Sequence, residues 1–375
     1  MPGPQIVVIG LGATGSAALC HLARRGVRAI GIEQFQVGHD RGSSHGPTRI
    51  FRLAHFENPA YVPLLHRAAA LWRELETLFG RRLLTTTGIA ELGPYDGDLA
   101  RGTLTASVRH ELAHEVLDAS PFMRRYPQFN VPNNYLAVVH RDGGYIEAAA
   151  ALDVMIRAAV DAGAVVRTDE KVIAIEPRGD GVRVITDRVT IEADGAVVAT
   201  GPWTAGLLPE PRLPLRVTRQ VVGWFEPADA GAFADGFPVF LLESRHGIHY
   251  GLPPYGRMGI KIAKHHHLDE IVEPDRYDTK VSAADEAAIR APLGEFLPAA
   301  NGRMRDAQTC LYTMTPDETF IIDRVPDAPQ VVIASPCSGH GFKFAPVVGE
   351  IIADLITSGT TRHDISAFRL KRFNA

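Results

Sequence analysis

The chain has 375 residues, 46% of them hydrophobic and 22% charged, and a net charge of −4. That length suggests two domains, or three, with ample core, and the balance excludes wholesale disorder. It also lacks the basic surplus expected of a nucleic-acid binder.

The cysteines, Cys20, Cys310 and Cys337, form neither a disulfide framework nor a zinc-ligand spacing, which suggests a reduced, cytoplasmic setting. No run reaches the 18 or so apolar residues of a membrane span. The apolar strand starting at Gln5 leaves no room before it for a signal peptide. Only six of the 39 basic residues are lysine, so each lysine stands out as a compact, tunable ammonium in an arginine-rich chain.

Residues 5–9 form an apolar run of buried-strand length, and a glycine cluster follows. A helix is expected over 13–25, with Gly26 as its stop, then a strand over 27–32 closed by Glu33. Residues 36–48, rich in Gly, Ser and His, read as a loop. Apolar residues recur at helical spacing over 61–79. Short strands and helical stretches mix over 84–145, and a helix follows over 147–162. Residues 165–175, 181–186 and 196–200 look like strands of the N-terminal sheet, resumed after an insertion. Short strands and polar loops occupy 211–307. Strands at 320–323 and 330–334 and a helix over 344–358 close the pattern. The chain is expected to cross between a nucleotide domain and a second domain more than once.

Gly10-Leu11-Gly12-Ala13-Thr14-Gly15 is a GxGxxG run with a strand before it and a helix after it. Glu33 ends the next strand 18 residues beyond Gly15, near the ~20 expected of a dinucleotide fingerprint. Gly10 allows the tight turn, Gly12 lets backbone approach a pyrophosphate, and Gly15 permits close helix packing. The helix N-terminus offers free N–H groups to phosphates, and Glu33 can accept from ribose hydroxyls. The pattern does not separate FAD from NAD. The strand 193–201, ending in Ala199-Thr200-Gly201, favours FAD.

Three further segments carry a resemblance. Gly42 to Arg52 (GSSHGPTRIFR) is similar to the GSSHGxTRxxR segment of the monomeric sarcosine oxidase and N-methyltryptophan oxidase family. Ser338 to Phe344 resembles the SGHGFKF segment. Cys310-Leu311-Tyr312-Thr313 and Asp317 to Asp323 resemble C-x-Y-T and D-E-x-F-I-I-D. Order, spacing and length match over nearly the whole chain. Local stretches such as 367–373 lean toward N-methyltryptophan oxidase.

The resemblance implies an α/β chain, α+β overall. A Rossmann-like FAD-binding domain (1–83, 145–212 and 320–375) is interleaved with an antiparallel-sheet substrate domain (84–144 and 213–319). It implies FAD attached through an 8α-cysteinyl thioether at Cys310; from the residues alone, Cys310 reads as a small buried side chain. The implied reaction oxidises a secondary amino acid to an imine, which water hydrolyses, with dioxygen reduced to hydrogen peroxide. The implied partners are that small molecule and dioxygen, with no nucleic acid or membrane, and the chain is expected to be a monomer.

Residue by residue, the resemblance assigns flavin contacts to Gly10, Gly12, Gly15, Glu33, Ser43, Ser44, His45, Thr48, Val172, Gly201, Gly339, Gly341, Phe342 and Lys343. Arg52 and Lys343 match the pair that holds the substrate carboxylate, which suits a guanidinium fork and an ammonium. Arg49 matches a residue near the flavin ring. Lys261 lies opposite Ile260 and Ile262 by strand alternation and matches the lysine that activates oxygen. An edge-strand lysine facing water is its plain alternative. His265, Tyr250 and Tyr312 match pocket residues, with core packing as the alternative for the tyrosines, and Gly339 lies beside the substrate. A metal on His265-His266-His267 is rejected, because consecutive strand residues face opposite ways.

The chain departs from the family at Pro47, at Leu53 to Asn58 in place of HAYGEG, and at Ser335-Pro336-Cys337. These changes bear on specificity more than on oxidation, and leave open larger N-methyl amino acids and cyclic imino acids such as pipecolate or proline. Two other readings are a flavin dehydrogenase with a protein or quinone acceptor and a non-catalytic dinucleotide-binding redox sensor. Lys261 argues against the first, and the Arg52–Lys343 pair against the second.

Overall fold

A computed structural model describes residues 4–207, 213–233 and 236–373. The first strand, Gln5–Ile9, is central to a six-stranded sheet ordered Ile321–Val325, Ala328–Ser335, Gly195–Val198, Gln5–Ile9, Arg28–Ile32, Val165–Arg167. Only Ile321–Val325 runs antiparallel to its neighbour. Both faces are covered, as a parallel sheet requires. Ile6 and Val8 pack with the helices Ala13–Arg24, Ala148–Asp161 and Ala345–Ser358 on one side. Val7 and Ile9 pack with Val182 and Val184 on the other.

Those two valines belong to a separate antiparallel meander of Val172–Arg178, Gly181–Thr186 and Thr190–Ala193. The expected strand over 165–175 is therefore two strands in different sheets, and 181–186 does not extend the N-terminal sheet. The chain breaks between them at Asp169, which sits at φ 52°, a conformation strands do not adopt. Period-two apolarity marks both segments as strands but carries no information on which sheet each joins.

The second large sheet has eight strands in the order Met304–Met314, Arg216–Phe225, Ile260–Lys264, Gly247–Leu252, Val239–Ser244, Ile89–Pro94, Tyr135–His140, Glu115–Asp118. It is antiparallel except where Val239–Ser244 lies parallel to Ile89–Pro94. One face buries a phenylalanine-rich core that includes Ile260 and Ile262. Its opposite face looks toward the six-stranded body. A three-stranded ribbon joins the two. In it Thr48–Phe51 and Leu84–Thr86 flank Gly144–Glu147, so the expected loop over 36–48 already enters a strand at Thr48. The expected junction at 212/213 touches residues 208–212, which lie outside the described residues. Among the described residues no helix is long and apolar enough to cross a membrane.

Candidate active site

A cavity of ≈ 710 Å³ runs between the two sheets. Of the residues assigned to the flavin or the substrate from the sequence, only Gly15 and Thr48 lie outside its wall. Both have a geometric reason. A Cβ on Gly15 would meet the Gly10 carbonyl oxygen at 1.8 Å, and one on Gly10 (φ +84°) would meet the Ala199 carbonyl oxygen at 2.7 Å. The two glycines thus fold the fingerprint turn onto itself and onto the 199–201 turn, as Gly15's expected packing role requires. Thr48 is buried, and its carbonyl receives a bond from Lys261 Nζ at 2.7 Å.

One end of the cavity suits a dinucleotide. Gly12 faces Ser44, whose Oγ accepts from Ala13 N at the start of the first helix (3.0 Å). Glu33 accepts from Leu11 N (2.8 Å) and Phe35 N (3.1 Å). Each carboxylate oxygen keeps a further acceptor site for a ribose hydroxyl. Gly201 and Val172 complete this wall. Trp203, which the sequence reading missed, stands edge-on to Phe35, and its Nε1 donates to Asp275 at 2.8 Å. His45 gives a direct test of fit: its Nε2 is buried and has no hydrogen-bond partner. Burial, then Arg49, brings this histidine down to about 4, so it is neutral. A buried orphan nitrogen in the wall of a polar cleft is accounted for by a bound group that supplies its partner. The residues present therefore fit an FAD-sized ligand.

The middle of the cavity is built by strand alternation. Gln308, Cys310 and Tyr312 share one face of Met304–Met314 and all line the cavity. Lys261 lines it from the next strand but one, on the face away from Ile260 and Ile262, as alternation predicts. It is no edge-strand lysine: it is 4% exposed, and burial, then Arg49, holds its ammonium well below the usual range. Arg49 ties the 43–48 loop together through the carbonyls of Ser43, His45 and Thr48. Ser43 Oγ donates to the Leu311 carbonyl at 2.6 Å, pinning that loop beside Cys310. Burial pushes the Cys310 thiol up, while Arg49 and Lys261 pull it down. Cys337 also lines the cavity; burial pushes its thiol up, and the hydroxyls of Ser338, Ser335 and Thr315 offset this only in part. Cys20 is buried in the first helix.

The far end gathers the phenols and the cations. Burial raises Tyr250 to about 12 and holds Tyr312 well above the usual phenol range, so both stay protonated. Gly339, at φ +80°, touches the Tyr312 ring so closely that a Cβ there would lie 2.3 Å from it. His265 is brought down to about 3 by burial, then by His266. Contrary to expectation, His265, His266 and His267 occupy a turn rather than a strand, with His266 at φ 55°. Strand alternation therefore gives no ground for rejecting a metal; His267 instead turns away to Asp285 (2.8 Å). Among the described residues no group of three or more His, Cys, Asp or Glu is placed to hold a metal ion.

Lys343 lies in a short turn, Phe342–Phe344, ahead of the last helix, with its main chain fixed by Trp72 Nε1 (3.0 Å). Its ammonium is buried and, among the described residues, donates only to the His340 carbonyl at 3.0 Å. No carboxylate lies within 4.0 Å of it among the described residues. Burial, then Arg52, brings it down to about 7. Arg52 differs from expectation: its fork is already occupied. Nη2 reaches both oxygens of Glu57 at 2.7 Å, and Nη1 reaches the Ala54 carbonyl at 2.8 Å and Glu91 Oε1 at 3.3 Å. Burial works against Glu57's charge, but Arg52 and His55 hold its carboxyl well below the usual range.

Glu57, Glu91 and His340 are site residues that the sequence reading did not select. Glu57 sat in plain view in the segment that departs from HAYGEG. Glu91 had a signal too, as a lone carboxylate in the apolar run 89–92.

The chain matches the family described as FAD dependent oxidoreductase over residues 5–355. It is 38% identical to the monomeric sarcosine oxidase of Streptomyces avermitilis, covering 100% of this chain and 99% of the relative. It is 34% identical to the N-methyl-L-tryptophan oxidase of Salmonella dublin, covering 99% of each. Among solved structures, NikD, an unusual amino acid oxidase essential for nikkomycin biosynthesis, superposes with a TM-score of 0.86 at 25% identity, covering 98% of each chain.

Proposed function

This chain belongs to the FAD-dependent oxidoreductase family, and we propose that it is a sarcosine oxidase-like oxidase of secondary, N-methylated amino acids. It would give the amino acid, formaldehyde and hydrogen peroxide, acting as a cytoplasmic monomer with dioxygen as acceptor. The observation that carries this reading is Lys343, a buried ammonium with no carboxylate within 4.0 Å among the described residues, in the same cavity wall as Arg52. Such a cation is complemented by an anionic ligand.

A substrate carboxylate entering here takes the Lys343 ammonium and the Nη2 edge of Arg52, and Glu57 gives way. Two charge-assisted contacts fix the position of the carbon to be oxidised. Neutral His265 and the phenols of Tyr250 and Tyr312 offer hydrogen bonds to the amine without adding charge. Ile50, Phe56, Leu241, Ile248 and Leu252 form an apolar wall at this end. That wall favours an N-methyl amino acid with an apolar side chain over sarcosine itself.

FAD, when bound, supplies the two-electron acceptor for the C–H bond beside nitrogen and the route of those electrons to dioxygen. Glu33, Ser44 and the 10–15 turn would hold its nucleotide part, His45, Arg49 and Gly339 to Lys343 its ring, and Cys310 would anchor it as a thioether. Lys261 and Arg49 place positive charge at the Cys310 end. Because burial depresses Lys261, its ammonium gains most when negative charge develops beside it.

A panel of sarcosine, N-methyltryptophan, pipecolate and proline tests the proposal. N-methylated substrates should bleach the flavin anaerobically and release peroxide under air. Bleaching without peroxide would move the acceptor to a protein or quinone. Bleaching by none of them would sink the reading and favour a redox sensor.

A further inference from the structure

Glu91 occupies the middle of strand Ile89–Pro94, paired with Leu241 on one side and Val138 on the other. It is 0% exposed, and among the described residues neither carboxylate oxygen has a hydrogen bond of good geometry, the Thr103 hydroxyl being the one uncharged donor near enough to ease its charge. Its nearest cation is Arg52, at 3.3 Å. The other groups that face it are Glu57 from the 53–58 segment, Thr103 from helix Asp98–Arg109, and Lys343 from the turn before the last helix. His140, on the neighbouring strand Tyr135–His140, is held neutral by burial and bonded to Ser107 Oγ at 2.9 Å.

Arg52 thus has two different carboxylates. Glu57 grips the Nη2 edge from an irregular segment and retains some exposure. Glu91 stands at the Nη1 edge, inside a sheet, and has nowhere to go. An incoming carboxylate can replace Glu57 but not Glu91. Once it binds, Glu91 and the ligand share Arg52 and Lys343 in a buried site, with Glu57 still nearby. Like charges crowded in low dielectric are relieved by protonation of the one least supported by donors. That one is Glu91.

From this geometry, and resting on the reading of Arg52 and Lys343 as the carboxylate site, we infer that Glu91 is the fixed counter-ion of Arg52 and takes up one proton from solvent when a substrate carboxylate binds. The proton adds to a Glu91 carboxylate oxygen and no other bond changes. Burial already pushes Glu91 up to about 7, against the pull of Arg52, so the uptake falls in the physiological range. Binding of anionic ligands then weakens as pH rises, toward tenfold per pH unit for one proton. Lys343 adds its own dependence, and removing the Glu91 charge lowers its ammonium further, which works against tighter binding at high pH rather than imitating it.

The test uses the flavin-loaded protein and propionate, a carboxylate with no amine to oxidise, with binding read from the flavin absorbance between pH 6 and 8.5. Glu91→Gln should bind propionate as wild type does at pH 6, and about tenfold more tightly at pH 8.5. Superimposed pH curves, or weaker binding by the variant throughout, would overturn the role of Glu91. Propionate failing to bind either protein at any pH would overturn the carboxylate reading, and this inference with it. A second measurement needs no variant. At pH 8, where free Glu91 is ionised, infrared difference spectra of wild type should gain a protonated-carboxyl C=O band on propionate addition. Absence of that band contradicts the proton uptake.

Discussion

Replacing Glu91 by Gln should make the protein more stable, and only at high pH. Burial raises this carboxyl from 4.5 to about 7 in the fold. A group whose folded pKa lies above its unfolded value supports the fold fully below the unfolded pKa. It loses that support as pH rises through the folded pKa. The loss is complete above about pH 7, and a shift of this size is worth about 3 kcal/mol at 1.36 kcal/mol per unit. Gln keeps the shape of the neutral acid and never ionises, so the variant escapes the loss. At about 2.1 cal/mol/K per residue, a chain of this length has an unfolding entropy of about 0.8 kcal/mol/K. The gain is then about 4 °C in Tm at pH 8, shrinking to nothing near pH 4.5. Thermal unfolding of both proteins at pH 5, 6, 7 and 8 measures it. A variant less stable at pH 8 would show Glu91 to be an ordinary stabilising partner of Arg52. An equal shift at every pH would show a packing effect instead.

Mass analysis of the denatured chain should find the added mass of FAD in wild type and lose it in Cys310→Ala; an unmodified wild-type chain contradicts the thioether. Lys261→Met should slow reoxidation by oxygen by about 10²–10³-fold, the scale of a lost electrostatic contact, and reduction by substrate far less. Equal slowing of both half-reactions in stopped flow would contradict its assigned place. Gly339→Ala combines a left-handed backbone, about 1–2 kcal/mol, with a collision against Tyr312, about 1–3 kcal/mol of overpacking. It should lower Tm by a few degrees and raise KM about tenfold, and an unchanged KM would remove Tyr312 from the substrate wall.

The sequence by itself determined the features that covalent geometry repeats locally. Gly10 to Gly15 between a strand and a helix, with Glu33 ending the next strand, specified the nucleotide end, because turn, helix start and strand end are short-range events. Alternation specified that Lys261 faces away from Ile260 and Ile262. It also specified that Cys310 and Tyr312 share a face. What alternation could not supply was the partner across a sheet. Residues 165–186 read as strands but divide between two sheets, because that choice depends on register and on which faces remain uncovered. The three histidines looked like a strand, but a turn takes them, with His266 at φ 55° and His267 bonded to Asp285.

Arg52 shows the limit best. Its chemistry as an anion binder was legible, and Glu57 lay five residues away. Glu91 comes within 3.3 Å of Arg52 once strand Ile89–Pro94 takes its place between Val239–Ser244 and Tyr135–His140 in the eight-stranded sheet. A lone carboxylate in an apolar strand signals something unusual, but only tertiary burial makes it an unsolvated charge beside that arginine. The lysines that first stood out for their scarcity follow the same rule. Sequence marked Lys261 and Lys343, and the fold decided their charge by stripping water from both and placing no carboxylate within 4.0 Å of either among the described residues.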